Sequence, residues 1–364
     1  MDCNICLAGG TGFTGQLVAI ELMNHGIPFS LLGRDRRRLM LLQQEIGHKG
    51  GVYCADFNSR EELDRILDKT DLIINCVGPF NLFSNLLLAR IVQKGKACLD
   101  ITGEQSYVKT SYEQYSTEAS QTGAIIVHSL AFESCLADLM ASQMANRGNH
   151  LREISSYYYL PGSRPSSGTR LSMQTVDFFP TFAIQKNEYI PMAPLAWSKK
   201  ITCDRNPEIL SAFFMPYPEI VFFKEQYNPE TSGSFLLSNE DPGSLSRLRH
   251  PGIHRSLDQI MEQHRKRKQI PLTVDERLHQ MFNLYIQASS SDGNMKTICL
   301  EGADMYGITA SLMAEGVMHY LSKTCTPAGI HSPAEFFNEY PLFDRLAMTH
   351  NIQMKEGSGL LQVI

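Results

Sequence analysis

Asn4-Ile5-Cys6-Leu7-Ala8-Gly9-Gly10-Thr11-Gly12-Phe13-Thr14-Gly15 passes from a short apolar run straight into a glycine cluster. The cluster holds the spacing Gly10-x-Gly12-x-x-Gly15, and the residues after it carry helical periodicity at Leu17, Ile20, Leu22 and Met23 up to Gly26. A strand, a glycine loop and a helix in that order open a dinucleotide-binding βαβ unit. One glycine makes the tight turn, one leaves the backbone bare for a pyrophosphate, and one lets helix pack on strand. The helix then points its positive end at the anion. Gly10, Thr11, Gly12, Phe13, Thr14 and Gly15 are therefore the first candidate cofactor-binding residues.

The second strand, Ile27 to Leu32, ends in Gly33-Arg34-Asp35-Arg36-Arg37-Arg38. At this tip, about 20 residues beyond the glycines, an NAD site usually carries Asp or Glu for the ribose 2′-hydroxyl. Here a glycine is followed by a guanidinium, which leaves room for a 2′-phosphate and supplies a bidentate donor to it. The cofactor expected is NADP, with Arg34 as its phosphate ligand. The alternative is that Asp35 is the ribose acid displaced by one residue. Arg36 to Arg38 read as the first turn of a helix.

Alternation continues. Strands are expected at Gly51–Asp56, Asp71–Val77, Ala97–Ile101 and Ala124–His128, with helices at Ser59–Lys69, about Leu82–Lys94 and about Ser106–Ser120. This predicts an α/β Rossmann domain, a doubly wound parallel sheet complete by about residue 130. Ligands in such sheets bind beyond the carboxyl ends of the strands, so the strand-end residues carry the chemistry. Asp56 ends the third strand, and Val77, Gly78, Pro79 and Phe80 end the fourth; all five are placed at the cofactor. Glu104 ends the fifth and His128 the sixth. Both are candidate catalytic groups, although Glu104 as a helix cap and His128 as a core histidine are the competing structural readings. None of the 14 tyrosines is followed by Lys four residues later, the pair that short-chain reductases use to protonate substrate; Tyr320 and Lys323 are one residue off.

At 364 residues a second domain is expected. Residues from Ile154 to about Phe223 are rich in aromatics, Ser, Thr and Pro and suggest antiparallel strands of an α+β domain. Residues 228 to 255 read as a long loop or insertion, extended to 270 by the helical stretch from Ser256 that closes in Arg265-Lys266-Arg267-Lys268. Leu284–Ala288 and Met295–Glu301 form a strand pair around Ser291-Asp292-Gly293-Asn294. The remainder reads as helical, at about Ile308–Ser322 and Pro333–His350. The expected division is 1–130, 131–304 and 305–364. The aromatic density from Tyr157 to Phe223 exceeds what one such domain buries, which predicts a homodimer through the second domain.

A net charge of -5 gives no general attraction to nucleic acid, and 43% hydrophobic with 20% charged residues is ordinary for a globular chain. No secretory signal is seen, Asp2 and the first strand standing in its place. The longest uncharged run, Leu72 to Ala89, is broken by Asn, Gly and Pro and does not suit a membrane span. The nine cysteines include Cys3 and Cys6, which as strand residues three apart point to opposite faces. A reduced cytoplasmic protein acting on a small-molecule substrate is expected, with no metal.

Gly9–Gly15, Gly33-Arg34 with Leu39, Asn75-Cys76-Val77-Gly78-Pro79-Phe80 and Leu99-Asp100-Ile101-Thr102-Gly103-Glu104 together resemble the saccharopine dehydrogenase-like oxidoreductases, and within them the trans-acting enoyl reductase branch. Ser167-Gly168-Thr169, Tyr306-Gly307-Ile308-Thr309-Ala310 and Ser332-Pro333-Ala334 extend the likeness. The resemblance implies NADP, a Rossmann domain, a smaller α+β domain that mediates dimers, and C-terminal helices that return to the first domain. The chain departs from it at Ala131-Phe132-Glu133-Ser134-Cys135-Leu136-Ala137-Asp138, where the family has a Gly and a Pro, and over 228–270. The expected function is NADP(H)-dependent hydride transfer to a C=C or C=N bond of a small-molecule or thioester-linked substrate. The alternatives are a non-turning-over NADP sensor or scaffold, and a saccharopine-type amino-acid dehydrogenase with Arg164 and Arg170 as carboxylate clamps.

Overall fold

The computed structural model describes residues 3–145, 151–239, 256–266, 270–290, 293–322, 326–357 and 360–364. The chain divides into two compact units, Met1–Cys135 with Tyr306–Leu346, and Leu136–Met305 with Ala347–Ile364.

In the first unit β1 (Ile5–Ala8), β2 (Ser30–Gly33), β3 (Val52–Cys54), β4 (Leu72–Asn75), β5 (Ala97–Asp100) and β6 (Ile125–Val127) alternate with α1 (Phe13–Asn24), α2 (Arg36–Glu45), α3 (Arg60–Leu67), α4 (Phe80–Phe83), α5 (Asn85–Gln93) and α6 (Gln105–Thr122). The strands pair in parallel in the order β6-β5-β4-β1-β2-β3, and Gly329–His331 adds a seventh beside β6. The central strands β1, β4 and β5 are buried throughout, as sheets covered on both faces require. Helix starts follow local chemistry: Ser59 accepts from Glu62 N at the head of α3, and Asp35 from Arg38 N at the head of α2. A core of Ile73, Leu87, Ile91, Cys98, Tyr107 and Ile126 lies under one face.

The second unit begins within α7 (Phe132–Ala145), at Leu136. Its ten-stranded mixed sheet contains β7 (Leu151–Tyr159), β8 (Phe182–Gln185), β9 (Glu188–Pro191), β10 (Ser198–Cys203), β11 (Asn206–Phe214), β12 (Thr231–Ser238), β13 (Met281–Ser290) and β14 (Met295–Ala303). It also carries α8 (Ser167–Thr175), α9 (Glu219–Tyr227), α10 (Leu257–Lys266) and α11 (Val274–Leu278). The strand Gly329–His331 is β15, and β16 (Gln353–Glu356) and β17 (Leu361–Val363) complete the second sheet at its two ends. The α12 helix (Met305–Leu321), α13 (Pro333–Phe336) and α14 (Leu342–Thr349) are the remaining α-helices described, and Val176–Phe178 forms a 3-10 turn after α8.

Three expectations are corrected here. The stretch expected as a loop from 228 contains β12, an interior strand parallel to β7 with Phe235 opposite Tyr157. Its Ser and Gly residues are strand residues chosen for smallness: Ser234 Oγ bonds the buried Glu219 carboxylate, and Gly233 lies against Trp197. Residues 240–255 and 267–269 of that stretch, including Arg267 and Lys268, lie outside the described residues. The 154–223 segment is not all strand, because α8 and half of α9 fall within it. The C-terminal part is not all helix, since β15, β16 and β17 lie there; each has only three or four residues, too few for a period to show. Ser291 and Asp292 of the expected turn, and Lys323, are outside the described residues; the strands it joins pair from Met281↔Ala303 to Ser289↔Met295.

Among the described residues, no helix is long and apolar enough to cross a membrane, and no group of His, Cys, Asp and Glu could hold a metal ion.

Candidate functional site

The glycine loop is built from close backbone approaches. Gly9 has φ +80°, and a Cβ there would lie 2.6 Å from Cys76 O at the end of β4. A Cβ on Gly15 would lie 2.3 Å from Gly9 O, so only glycine lets α1 begin so near the strand. Gly12 is different. It is exposed, with φ -78°, and its Cβ would meet nothing nearer than Gly9 O at 3.3 Å. A Cβ there would crowd Gly9 O by a few tenths of an ångström, far less than the collisions at Gly9 and Gly15. Gly12 is also the N-cap of α1 and supplies no side-chain cap, so the first-turn N–H groups are left to another acceptor. Phe13 meets Tyr306 edge-on at 5.1 Å, which brings the Tyr306-Gly307 stretch of α12 to the mouth of the loop.

At the tip of β2, Arg34 is exposed and its guanidinium lies 5.0 Å from the centre of the Phe83 ring. Asp35 caps α2, Oδ1 accepting from Arg38 N at 3.1 Å, and so has a local structural duty. Arg38 turns back across the loop, Nη2 donating to Thr11 O at 3.2 Å. The sequence reads as a solvated first helical turn for Arg36 at least; Arg38, three residues past the cap, turns back to the loop. Asp56 is exposed, and its Oδ1 accepts from Asn58 N at 3.0 Å.

The end of β4 is held by its neighbours. Asn75 Nδ2 donates to Ser84 Oγ, Val77 N donates to Asn75 Oδ1, and Ser84 Oγ donates to Val77 O. The peptide between Gly78 and Pro79 is cis. Glu104 accepts from Phe80 N at 2.8 Å on one oxygen, and from Asn81 N and Asn81 Nδ2, both at 2.9 Å, on the other. A carboxylate at the end of β5 thus caps α4, whose last residue, Phe83, lies beneath Arg34. Sequence spacing alone could not find this clamp, because Glu104 and Phe80 are joined only by the sheet.

His128 is wholly buried. Its Nδ1 lies 2.7 Å from Asp100 Oδ2 and its Nε2 2.8 Å from Ser111 Oγ, with the Tyr107 ring edge-on at 5.6 Å. Asp100 Oδ1 accepts from Thr102 N and Ser129 N. Burial raises the Tyr107 hydroxyl well above the usual phenol range. In the same unit Phe132 N, which opens α7, donates to Thr309 Oγ1 of α12 at 3.0 Å, so the departing segment 131–138 starts a helix capped from the C-terminal part of the chain.

In the second unit Ser167-Gly168-Thr169 is the start of α8, capped by Ser166 Oγ accepting from Thr169 N. Arg164 pairs with Glu276 at 3.0 Å and Arg170 donates to Pro165 O at 2.6 Å, so both guanidinia are engaged within the protein.

No protein-family model matches the chain. A saccharopine dehydrogenase-like oxidoreductase of Bos taurus is 26% identical over 163 residues, 40% of this chain and 38% of that protein. A protein of Mycobacterium tuberculosis named as a trans-acting enoyl reductase is 30% identical over 143 residues, 38% of this chain and 34% of its own length. The matched stretch therefore spans well under half of either relative. A solved saccharopine dehydrogenase (L-Glu forming) from Saccharomyces cerevisiae covers 98% of this chain and 99% of its own, with a TM-score of 0.63 at 14% identity, and so shares the fold. The chain is thus similar to saccharopine dehydrogenase-like oxidoreductases in sequence over about 40% of its length, and to a saccharopine dehydrogenase in fold over 98% of it.

Proposed function

We propose that this protein is an oxidoreductase whose first unit binds a nicotinamide dinucleotide, NADP in preference to NAD. The observation that carries the reading is Gly12, an exposed helix start with no side-chain cap, where a Cβ would be crowded far less than at Gly9 or Gly15. The loop of Gly10, Thr11, Gly12, Phe13, Thr14 and Gly15, with Arg38 on Thr11 O, fits the pyrophosphate; Arg34 fits a 2′-phosphate; Asp56 and the Val77-Gly78-Pro79-Phe80 turn line the rest. Bound there, the reduced cofactor supplies hydride to a C=C or C=N bond of a small-molecule or thioester-linked substrate. Glu104 and His128 act as positioning residues in this reading. Glu104 fixes α4 and with it the ring under Arg34, while His128 and Asp100 hold the ends of β5 and β6 together.

Arg34→Ala tests the cofactor assignment. It removes a charge-assisted contact of about 1.5–3 kcal/mol, so NADPH should bind roughly 10- to 100-fold more weakly. NADH lacks the phosphate and should scarcely change. Titration of both nucleotides by calorimetry decides it: a wild type that prefers NADH, or a variant that loses both equally, makes Asp35 the ribose ligand.

The engaged state of Glu104 and His128 favours, as second reading, a protein that binds NADP without turnover. A screen of NADPH oxidation against enoyl thioesters, imines and amino-dicarboxylates separates the two. Tight NADPH binding with no oxidation in any arm rejects the reductase. We further propose a cytoplasmic homodimer formed through the second unit; light scattering that returns the monomer mass at micromolar concentration rejects the dimer.

A further inference from the structure

On one face of the second unit's sheet, Lys199 of β10 directs its amine into a box of rings. Nζ lies 4.5 Å from the centre of Phe235, 4.8 Å from Trp197 and 5.7 Å from Tyr157. Its hydrogen-bond partner is a neutral group, the Tyr157 hydroxyl at 3.4 Å. The box is built rather than incidental. Phe235 stacks on Tyr157 at 5.2 Å, and Trp197 meets Phe235 edge-on at 5.0 Å. Gly233 lies against both: a Cβ there would fall 2.9 Å from Trp197 Cζ3 and 2.9 Å from Phe235 Cε2, so a bare backbone is what lets the indole close over the amine.

Ring faces attract a cation, but removing water from an ammonium costs more where no carboxylate adjoins it. Burial draws the Lys199 amine down to about 8, against an upward pull from Glu153. The ionisable groups that face Nζ are Tyr157 and Glu153, both on β7; β11 presents Ala212 in register and β12 presents Phe235. Burial raises the Tyr157 hydroxyl, which stays protonated at neutral pH.

We propose that Lys199 is a nucleophilic amine that captures an aldehyde with an apolar or aromatic tail as a reversible imine. The neutral Nζ lone pair attacks the carbonyl carbon, and the C–N bond forms as the carbonyl π pair moves to oxygen and takes a proton. That oxygen leaves as water, the nitrogen gives up its protons, and C=N remains. Amine plus aldehyde gives imine plus water, with nothing oxidised or reduced. Tyr157 is the donor placed to serve the oxygen, and Trp197, the one half-buried ring of the three, supplies the apolar surface for the tail. Every residue of the box lies in the second unit, so the inference stands apart from the nucleotide reading.

The test uses the full chain with hexanal and cyanoborohydride, which fixes each imine as a secondary amine, and peptide mass spectrometry to compare lysines. At pH 7 an amine of pKa 8 is about 10% neutral and an ordinary lysine about 0.04%. Lys199 should therefore be modified at least roughly tenfold faster than the median lysine at pH 7, with the advantage shrinking by pH 10. Trp197→Ala, which admits water to the box, should lose most of the pH 7 advantage. A folded wild type in which Lys199 is modified no faster than the median at pH 7 overturns the proposal, as does a Trp197→Ala variant that keeps the whole advantage.

Discussion

Gly12→Val is expected to weaken NADPH and NADH alike by at least about 100-fold while the protein stays folded. Gly12 has an ordinary backbone conformation and its Cβ would meet only Gly9 O, at 3.3 Å, so the loop has to give by a few tenths of an ångström rather than break. The isopropyl group would stand over the first turn of α1 and keep a pyrophosphate from its N–H groups. Loss of two charge-assisted hydrogen bonds, at about 1.5–3 kcal/mol each, corresponds to roughly 10²- to 10⁴-fold. The effect is indifferent to the 2′-phosphate, which distinguishes it from Arg34→Ala. Gly15→Val makes the structural control, because its Cβ would collide with Gly9 O at 2.3 Å and the loop could not close. Calorimetric titration beside a thermal melt measures both; affinity retained within roughly threefold in a folded Gly12→Val protein would remove the pyrophosphate from this loop.

Asp100→Ala should cost about 3–5 kcal/mol of stability, since each buried donor left without its acceptor costs roughly 1–3 kcal/mol. One carboxylate holds His128 on Oδ2, and Thr102 N and Ser129 N on Oδ1, with no water-exposed surface at either Asp100 or His128. Alanine strands all three donors in the core. For a unit of this size that corresponds to a fall of roughly 6–20 °C in the melting of the first unit. Asp100→Asn keeps an acceptor for the two backbone N–H groups and should lose less, which separates charge from hydrogen bonding. A melting temperature for Asp100→Ala within about 2 °C of wild type would mean that the strand ends do not depend on this joint.

The Rossmann half was legible because each of its elements carries its own instruction. Ser59 announces α3, while the strands are apolar runs bounded by glycine; that Asp35 caps α2 only the structure shows. The second unit was less legible where small residues serve packing. The Thr231-Ser-Gly-Ser run resembles a loop until Glu219 and Trp197 are seen to need exactly that much room. At the site, the glycine loop and Arg34 could be named from spacing. The Glu104 clamp, the Phe83 ring and the Arg38 contact with Thr11 could not, since each joins residues that only the folded sheet brings together.

The pairing of β15 with β6 has a consequence for synthesis. Gly329–His331 must find Ile125–Val127 after Leu136–Met305, the larger part of the second unit, has been synthesised. At about 5–20 residues per second, the nascent first sheet waits roughly 10–40 seconds with an open edge at β6. During that interval the edge can recruit another chain's strand, a standing aggregation hazard. A fragment cut near residue 130 would make the same wait permanent, so expression trials that aim at the nucleotide-binding part alone should carry 306–346 as well, joined by a short linker across the excised unit.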